Sequence, residues 1–190
     1  MARPRKFDEG SAVEAAMRAF WGAGYEATST QDLCEATGLG RSSIYNTFKN
    51  KHDLFGKSLR HYMDVHNAEL FALLDADLPV MEKIRQVLWR AVEPDAADPI
   101  GCLVVNTAVE LGPRDPEIAE MLRSDGERRL DALRAAIALG QSRGEIDRGK
   151  DPWALAHFVV ATVGGLRVAA RAGADSTALE AIATTALGAF

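Results

Sequence analysis

Polar and basic side chains are concentrated between residues 29 and 54, in the segment STQDLCEATGLGRSSIYNTFKNKHDL. Residues 41–60 contain five basic residues and one acidic residue, which gives them a net charge of +4. Hydroxyl, amide, ammonium and guanidinium groups donate hydrogen bonds to phosphate oxygens and to the edges of bases. This composition predicts a surface that binds a polyanion, and nucleic acid is the first candidate.

The net charge of the whole chain does not reveal this basic surface. The net charge is −5, but residues 1–60 contain nine basic and seven acidic residues and carry +2, whereas residues 61–190 contain thirteen and twenty and carry −7. One basic face on an acidic body suits a nucleic-acid-binding protein. At the N-terminus, Arg3, Arg5 and Lys6 form a short basic arm. We expect this arm to enter a minor groove, to follow the phosphate backbone, or to stay solvated, as chain termini usually do.

Two short helices separated by a tight turn would position these side chains. Ser29 and Asp32, three residues apart, form a capping box, which predicts that a helix begins near Thr30. Gly38 ends this helix, because glycine adopts the left-handed conformation at a helix C-terminus without steric cost. A second helix follows over about residues 41–48. This arrangement predicts a helix-turn-helix, which places its second helix in the major groove of DNA.

A helix on each side completes the predicted N-terminal region. Asp8 can cap a first helix whose apolar residues recur at helical spacing, and Asn50 can cap a long helix from residue 51 to about residue 76. We therefore predict a three-helix DNA-binding domain over residues 1–50. Residues 51–190 would form a helical domain for ligand binding and dimerisation.

Helix-start signals also divide the C-terminal region. Aspartate followed by proline is typical of a helix N-terminus, and this pair occurs at Asp98-Pro99, Asp115-Pro116 and Asp151-Pro152. The predicted helices here are 79–93, 99–111, 116–142, 152–172 and 175–189. With the helices before them, the chain is predicted to be all-α with about nine helices.

The N-terminal sequence resembles that of the tetracycline-repressor (TetR) family of bacterial one-component regulators, most closely over residues 7–60. The residues that carry the resemblance are Gly24-Tyr25, Ala27, Ser29, Asp32-Leu33, Gly38, Ser43-Ile44-Tyr45, Phe48, Lys51 and Leu54-Phe55. Two positions depart from the family pattern: Gly40 replaces the serine that commonly caps the recognition helix, and Cys34 replaces an alanine. The resemblance implies a nine-helix regulator that binds double-stranded DNA.

Nine residues are predicted to contact DNA: Ser29, Thr30, Arg41, Ser42, Ser43, Tyr45, Asn46, Lys49 and Lys51. Arg41 and Ser42, at the start of the second helix, are the predicted base readers, since an arginine can bind guanine through two hydrogen bonds. Ser29 and Thr30, at the N-terminus of the first of the two helices, and Lys51 are predicted to bind phosphates. Ser43, Tyr45 and Lys49 are further phosphate candidates, and Asn46 could read adenine or bind phosphate. Tyr45 could instead be a core residue, although the resemblance implies a DNA contact.

The two C-terminal helices are predicted to form a dimer interface. Helices 152–172 and 175–189 are rich in Ala, Gly, Val and Leu, and such surfaces need a partner. The resemblance implies a homodimer built as a four-helix bundle from these helices; an intramolecular core is the alternative. His157 and Arg167 interrupt the apolar stretch 153–170, so we interpret it as a buried helix and expect no membrane association.

The resemblance also implies a ligand pocket between the middle helices. The candidates expected to point inward are Met63, Phe71, Trp89, Cys102, Asn106, Glu110, Trp153 and Phe158, although the apolar ones could be ordinary core. Asn106 and Glu110 lie four residues apart and share a helix face. A buried carboxylate needs a partner, which would be Arg114, Arg167 or a ligand. Cys102, at a helix N-terminus, is either a reactive thiol or an inert buried residue.

These features predict a cytoplasmic repressor that a small-molecule inducer, or an electrophile or oxidant, releases from a pseudo-palindromic operator. The ligand would change the tilt of the helix over residues 51–76. No cofactor or metal is expected, because the two cysteines and four histidines show no metal-binding spacing and no phosphate loop is present. The alternatives are a DNA-binding protein without a ligand and, less favoured, a thiol-based enzyme. The sequence does not specify the operator, the regulated genes, the inducer, or whether the effect is repression or activation; repression is what the resemblance implies.

Overall fold

The computed structural model describes residues 8–93 and 101–190. In these residues the chain forms nine α-helices and no strand: α1 (Glu9–Ala23), α2 (Thr30–Thr37), α3 (Arg41–Thr47), α4 (Lys51–Asp75), α5 (Val80–Val92), α6 (Leu103–Glu110), α7 (Pro116–Ser142), α8 (Pro152–Arg171) and α9 (Ser176–Leu187). The predicted all-α class and the helix count are confirmed. The basic arm and the Asp98-Pro99 pair lie outside the described residues, and α6 begins at Leu103, later than predicted.

Aspartate side chains cap four of the helices at their N-termini. Asp8, Asp115, Asp151 and Asp175 each accept hydrogen bonds from backbone N–H groups in the first turn of α1, α7, α8 and α9. Proline follows the cap in α7 and α8, where its missing N–H costs nothing. Such caps contribute roughly 1 kcal/mol each. They explain why the sequence predicted these helix starts within one or two residues.

The N-terminal core lies beneath the helix-turn-helix. Phe20 of α1, Leu33 of α2, Ile44 of α3 and Phe48 are at most 1% exposed, and Phe55 of α4 packs edge-on against Phe20 with ring centroids 5.0 Å apart. The first turns of α4 therefore complete the packing of the first three helices. The division of the chain at residues 50 and 51 marks a helix start, and as a domain boundary it stays a prediction.

The C-terminal core lies between α5, α7, α8 and α9. Ile84, Leu88, Ile137 and Leu166 are at most 1% exposed in this core. Helix α4 connects the two cores, because its N-terminal half packs in the first and Leu70 near its C-terminal end packs in the second. A change in the tilt of α4 would thus move the helix-turn-helix relative to the C-terminal core.

Helix α8 has one buried side and one exposed apolar side. Leu155 and Val159 are buried, whereas Phe158 is 40% exposed and Val168 is 54% exposed. Within the single chain, one face of the predicted buried helix is therefore buried and the other is exposed. Among the described helices, α8 is also long and apolar enough to span a membrane, with a mean hydropathy of 1.5. A single such helix is weak evidence for a membrane span, since helices at protein interfaces have the same composition.

Candidate nucleic-acid interface and ligand cavity

The helix-turn-helix is fixed by local hydrogen bonds. The Ser29 hydroxyl accepts a hydrogen bond from the Asp32 N–H at 3.2 Å, and the Asp32 carboxylate accepts one from the Ser29 N–H at 2.6 Å. Hydrogen bonding to the side chain and the backbone N–H of Ser29 holds the pKa of the Asp32 carboxyl below its usual value. Gly38 ends α2 with φ +67°, a left-handed conformation that other residues adopt only at a cost. The predicted capping box and turn are both confirmed.

The outer face of α3 is exposed. Arg41, Ser42, Tyr45 and Asn46 lie at the surface, while Ile44 on the opposite side is 1% exposed. Burial of Ile44 orients the helix, so that its polar residues are left facing solvent. Helix α3 has no side-chain cap, because Gly40 occupies the N-cap position. Free N–H groups at this N-terminus are available to an anion.

Tyr45 belongs to the surface rather than to the core. Its side chain is 41% exposed, and its hydroxyl lies 3.2 Å from the Thr30 hydroxyl at the start of α2. The hydrogen bond with Thr30 lowers the pKa of the Tyr45 phenol. The Arg41 guanidinium lies 5.8 Å from the centre of the Tyr45 ring. These contacts bring three of the predicted DNA-binding side chains into one patch.

The remaining predicted DNA contacts lie at or near the same surface. Ser29 and Lys49 are exposed, while Ser43 and Lys51 are half-buried, so that none of the nine is buried. The Lys51 ammonium lies 4.5 Å from the centre of the Tyr25 ring, which fixes the lysine at the start of α4. Tyr25 in turn packs against Phe55, with ring centroids 4.9 Å apart. The sequence had not indicated this positioning role of Tyr25.

Glu110 joins α6 to the loop between α1 and α2. Its carboxylate accepts hydrogen bonds from the N–H groups of Tyr25 at 2.9 Å and Glu26 at 2.8 Å. Gly24 permits this approach, because it has φ +92° and a Cβ there would lie 3.1 Å from a carboxylate oxygen. The predicted pairing of Glu110 with an arginine is wrong, since backbone amides more than eighty residues away in sequence satisfy the carboxylate.

Two further contacts connect the N-terminal helices to the C-terminal region. His52 Nε2 of α4 lies 2.6 Å from the Asp115 carboxylate at the N-cap of α7, and Arg171 of α8 donates to the Gly22 carbonyl at 3.2 Å. Partial burial raises the pKa of the Asp115 carboxyl. The N–H of Ile118 and the ring of His52 outweigh that effect, and the net pKa lies below its usual value.

A cavity of about 470 Å³ lies between α1, α4, α5, α6, α7 and α8. Its polar lining consists of Trp21, Tyr62, His66, Glu69, Arg90, Glu93, Cys102, Arg129 and Arg167, and its apolar walls include Val87, Val104, Val105, Val160 and Val163. This volume and this mostly apolar wall are typical of small-molecule sites. Of the eight predicted pocket residues, Cys102 alone lines this cavity.

The other predicted pocket residues lie elsewhere. Met63 is buried in the N-terminal core, while Phe71 and Trp89 pack against the C-terminal core. The prediction that Phe158 points inward is wrong, because it is 40% exposed. Trp153 is 58% exposed and lines a separate cavity of about 370 Å³ between α7 and α8.

Asn106 and Glu110, the two polar candidates on α6, also lie outside the cavity wall. The Nδ2 of Asn106 is buried and has no hydrogen-bond partner in the described part of the chain. Glu110 is held by the loop before α2.

Comparison with known proteins decides the family. The model of bacterial regulatory proteins of the tetR family matches residues 12–57, and that of the tetracyclin repressor-like C-terminal domain matches residues 81–186. The chain belongs to the TetR family. The resemblance over residues 7–60 is thus confirmed, and it extends through the helical C-terminal region. The helix-turn-helix described above is the DNA-binding unit of a TetR-family transcriptional regulator.

Individual TetR-family members are similar along the whole chain. The HTH-type transcriptional repressor ComR of Escherichia coli (strain K12) is 35% identical, over 97% of this chain and 90% of ComR. The uncharacterized HTH-type transcriptional regulator YezE of Bacillus subtilis (strain 168) is 31% identical, over 95% of this chain and 94% of its own. A solved structure of the TetR-family regulator CifR, with three cysteines substituted and with 26-base-pair operator DNA bound, is 30% identical, covers both chains completely and has a TM-score of 0.84.

Sequence reasoning missed most of the polar cavity lining of this TetR-family chain. Tyr62 and His66 lie four residues apart on α4 and their rings are in contact, with centroids 4.2 Å apart, so helical spacing could have suggested a shared face. The Tyr62 hydroxyl donates to Cys102 Sγ at 3.5 Å. Arg129 gave no such signal, because an arginine on a long helix is usually solvated.

Proposed function

We propose that this TetR-family regulator is a cytoplasmic repressor that binds a pseudo-palindromic operator as a homodimer and leaves it when a small molecule occupies the cavity. The observation that carries the proposal is the outer face of α3, where Arg41 and Tyr45 are exposed above a buried Ile44. The similarity to CifR, whose structure was solved with operator DNA, supports the DNA partner. The names of ComR and other relatives as repressors support repression over activation.

The position of each predicted DNA-contacting residue determines the role that we propose for it. Arg41 and Ser42, in the first turn of α3, read base edges, and Asn46 one turn later reads a base or binds phosphate. Lys49 and Lys51 bind phosphates beside them. Ser29, Thr30, Ser43 and Tyr45 complete the phosphate contacts, since hydroxyls at or near helix N-termini can donate to anionic oxygens.

A homodimer supplies the second recognition helix. One α3 reads too few bases to be specific, whereas two of them about 34–36 Å apart read both halves of a palindrome. Val168 of α8 is 54% exposed and Ile182 of α9 is 43% exposed, so apolar surface is available on both helices. We propose that these faces pair with those of a second copy as a four-helix bundle. Dimerisation is typical of the family to which the chain belongs.

The position of the cavity explains how a bound ligand would release the protein from DNA. Its lining includes Trp21 of α1, Tyr62 of α4 and Cys102 at the N-cap of α6. At the other end of α6, Glu110 holds the loop that precedes α2. A ligand that binds more tightly when α4 and α6 are displaced would shift the chain to a state with a different spacing of the two α3 helices. Sensing of an electrophile or oxidant by Cys102 stays a prediction.

Stoichiometry and release test this proposal together. We would titrate a duplex obtained by selection with the purified protein, measuring fluorescence anisotropy and sedimentation, and then add a metabolite library and mild oxidants. The proposal expects two chains, or a multiple of two, per duplex, and at least one compound that lowers affinity. Binding by single chains would contradict the dimer. Affinity that no compound changes would favour a constitutive DNA-binding protein. Release by oxidants that persists in Cys102→Ser would exclude the thiol as the sensor.

A further inference from the structure

The cavity contains more hydrogen-bond donors than the protein satisfies. Within residues 8–93 and 101–190, three buried side-chain atoms have no hydrogen-bond partner: Trp21 Nε1, Asn106 Nδ2 and Arg129 Nε. All three carry N–H groups, and two of them belong to residues that line the cavity. Trp21 is only 3% exposed, so its indole N–H is removed from solvent. A buried donor without an acceptor is costly, which favours a ligand that brings acceptors.

The charged residues around the cavity also favour a ligand that carries hydrogen-bond acceptors. Arg90, Arg129 and Arg167 line it, and none of the ion pairs within the described ranges involves Arg129 or Arg167. One N–H of Arg167 donates to the Arg90 carbonyl at 2.7 Å, which positions its guanidinium without neutralising it.

The two acids of the cavity lining do not offset these arginines. Glu69 has a side chain that is 53% exposed and lies 3.4 Å from His66, and Glu93 is exposed. The carboxylates thus lie towards solvent, while the Arg129 Nε and the indole of Trp21 are buried. Burial raises the pKa of the Tyr62 phenol, so that this group remains a neutral donor.

The walls restrict the rest of the ligand. The apolar part of the lining is formed by Val104 and Val105 of α6, Val160 and Val163 of α8, and Val87 of α5. A small, fully polar anion such as inorganic phosphate would leave this surface uncovered. An aliphatic or aromatic body would cover it and remove it from water, which favours binding.

We propose that the cavity binds an organic carboxylate whose anionic head meets the guanidinium of Arg129 and the indole N–H of Trp21, and whose apolar body lies against the valines. Planar carboxylate and guanidinium groups form paired, charge-assisted hydrogen bonds, which are stronger than those between neutral groups. This inference rests on the proposed role of the cavity as the inducer site and specifies the class of inducer.

Pairs of acids and their amides test whether the cavity prefers a negatively charged ligand. We would measure binding of 4-phenylbutyrate, 4-phenylbutyramide, octanoate and octanamide to the DNA-free protein by isothermal titration calorimetry. Each amide preserves the body of its acid and removes the charge. A charge-assisted contact predicts that at least one acid binds about tenfold or more tightly than its amide. Equal affinities in both pairs, or no binding of either acid at millimolar concentration, would overturn the proposal.

Three variants locate the contact. Arg129→Gln should reduce the preference for acid over amide to within about threefold, because it removes the charged donor. Trp21→Phe retains an aromatic ring but removes the N–H together with part of the buried indole. It should weaken acid and amide alike through the lost packing, and the acid by an additional but smaller factor than Arg129→Gln. Arg128→Gln is the control, since Arg128 is the adjacent residue on α7, is exposed and lies over Phe71 instead of in the cavity. An equal loss in Arg128→Gln would refute the assignment to Arg129.

Operator binding separates this inference from the proposed function. The calorimetry needs no DNA, so a protein that fails to bind any operator would defeat the proposed function and leave the acid preference measurable. An operator that is bound, together with no acid preference, would defeat only the inferred ligand class. If Arg129→Gln does not fold, as judged by circular dichroism, the ¹⁵N-labelled Nε–H signal of Arg129 in the unmodified protein replaces it. That signal should shift with acid and not with amide; an unchanged signal would count against the proposal.

Discussion

The Glu110 carboxylate provides a direct test of how α6 is joined to the DNA-binding helices. It accepts two backbone hydrogen bonds, from Tyr25 at 2.9 Å and from Glu26 at 2.8 Å. Glu110→Gln retains the length and shape of the side chain. The amide offers one acceptor and one donor, so one backbone N–H loses its acceptor and faces an NH₂ group.

The size of the effect follows from the two bonds. A hydrogen bond to a charged group contributes roughly 1.5–3 kcal/mol when it is shielded from water. The bond from Glu26 is exposed and that from Tyr25 is only partly buried, so water replaces part of the loss. We expect the free energy of unfolding to fall by about 1–2 kcal/mol, which for a chain of this size lowers Tm by roughly 2–8 °C.

The assay is thermal unfolding followed by circular dichroism, with operator affinity measured on the same preparations. Glu14→Gln is the matched control, because Glu14 is exposed on α1. It should leave Tm within about 1 °C of the unmodified protein. Operator affinity should also fall in Glu110→Gln, since the loop that leads into α2 is less fixed. Unchanged Tm and unchanged affinity in Glu110→Gln would refute the role assigned to this contact.

The remaining predictions concern the operator, the dimer and acid stability. Arg41→Ala should lose about 1–3 kcal/mol of discrimination at one base pair per half-site, whereas Lys51→Ala should weaken binding to all sequences alike and lower the slope of log affinity against log salt concentration by about one. Competition with point-substituted duplexes, repeated at several salt concentrations, measures both effects. Equal, sequence-independent losses in the two variants would contradict the division of roles. Ile182→Glu should convert the dimer into monomers in sedimentation, and an intact dimer would move the interface away from this face of α9. The lowered pKa of the Asp115 carboxyl means that its ionised form stabilises the fold above about pH 4 and that this stabilisation is lost as pH falls through the folded-state pKa. Asp115→Asn should therefore flatten the decline of Tm between about pH 5 and pH 2, because the asparagine has no carboxyl group to protonate. An unchanged slope would exclude a stabilising role for the ionised Asp115 carboxylate.

Helix positions were predictable because the signals are local. The capping box of Ser29 with Asp32, and the cap of Asn50 on Asp53, involve residues three apart in the chain. Local bonds of this kind form whenever the helix does, whatever packs around it. The exposed face of α3 was predictable for a related reason, since burial of Ile44 fixes the orientation of the whole helix.

The cavity could not be predicted because it depends on contacts between residues distant in sequence. Helical spacing shows which residues share a face, but it does not show whether that face meets a cavity, a core or a partner chain. Trp153 and Phe158 both belong to the apolar helix α8, and both are exposed. The acceptor role of Glu110 and the unsatisfied Nε of Arg129 likewise emerge only when α6 and α7 take their places against the other helices.

Selection of bound duplexes from a random pool tests the central claim most directly. The purified protein would be used in parallel with Arg41→Ala, which removes one exposed side chain of α3. A sequence-specific dimeric regulator predicts an enriched inverted repeat with half-sites about one helical turn apart, and loss of preference at one position of each half-site in the variant. A pool without any enriched motif, or the same motif from both proteins, would contradict the assignment of α3 as the element that recognises the operator.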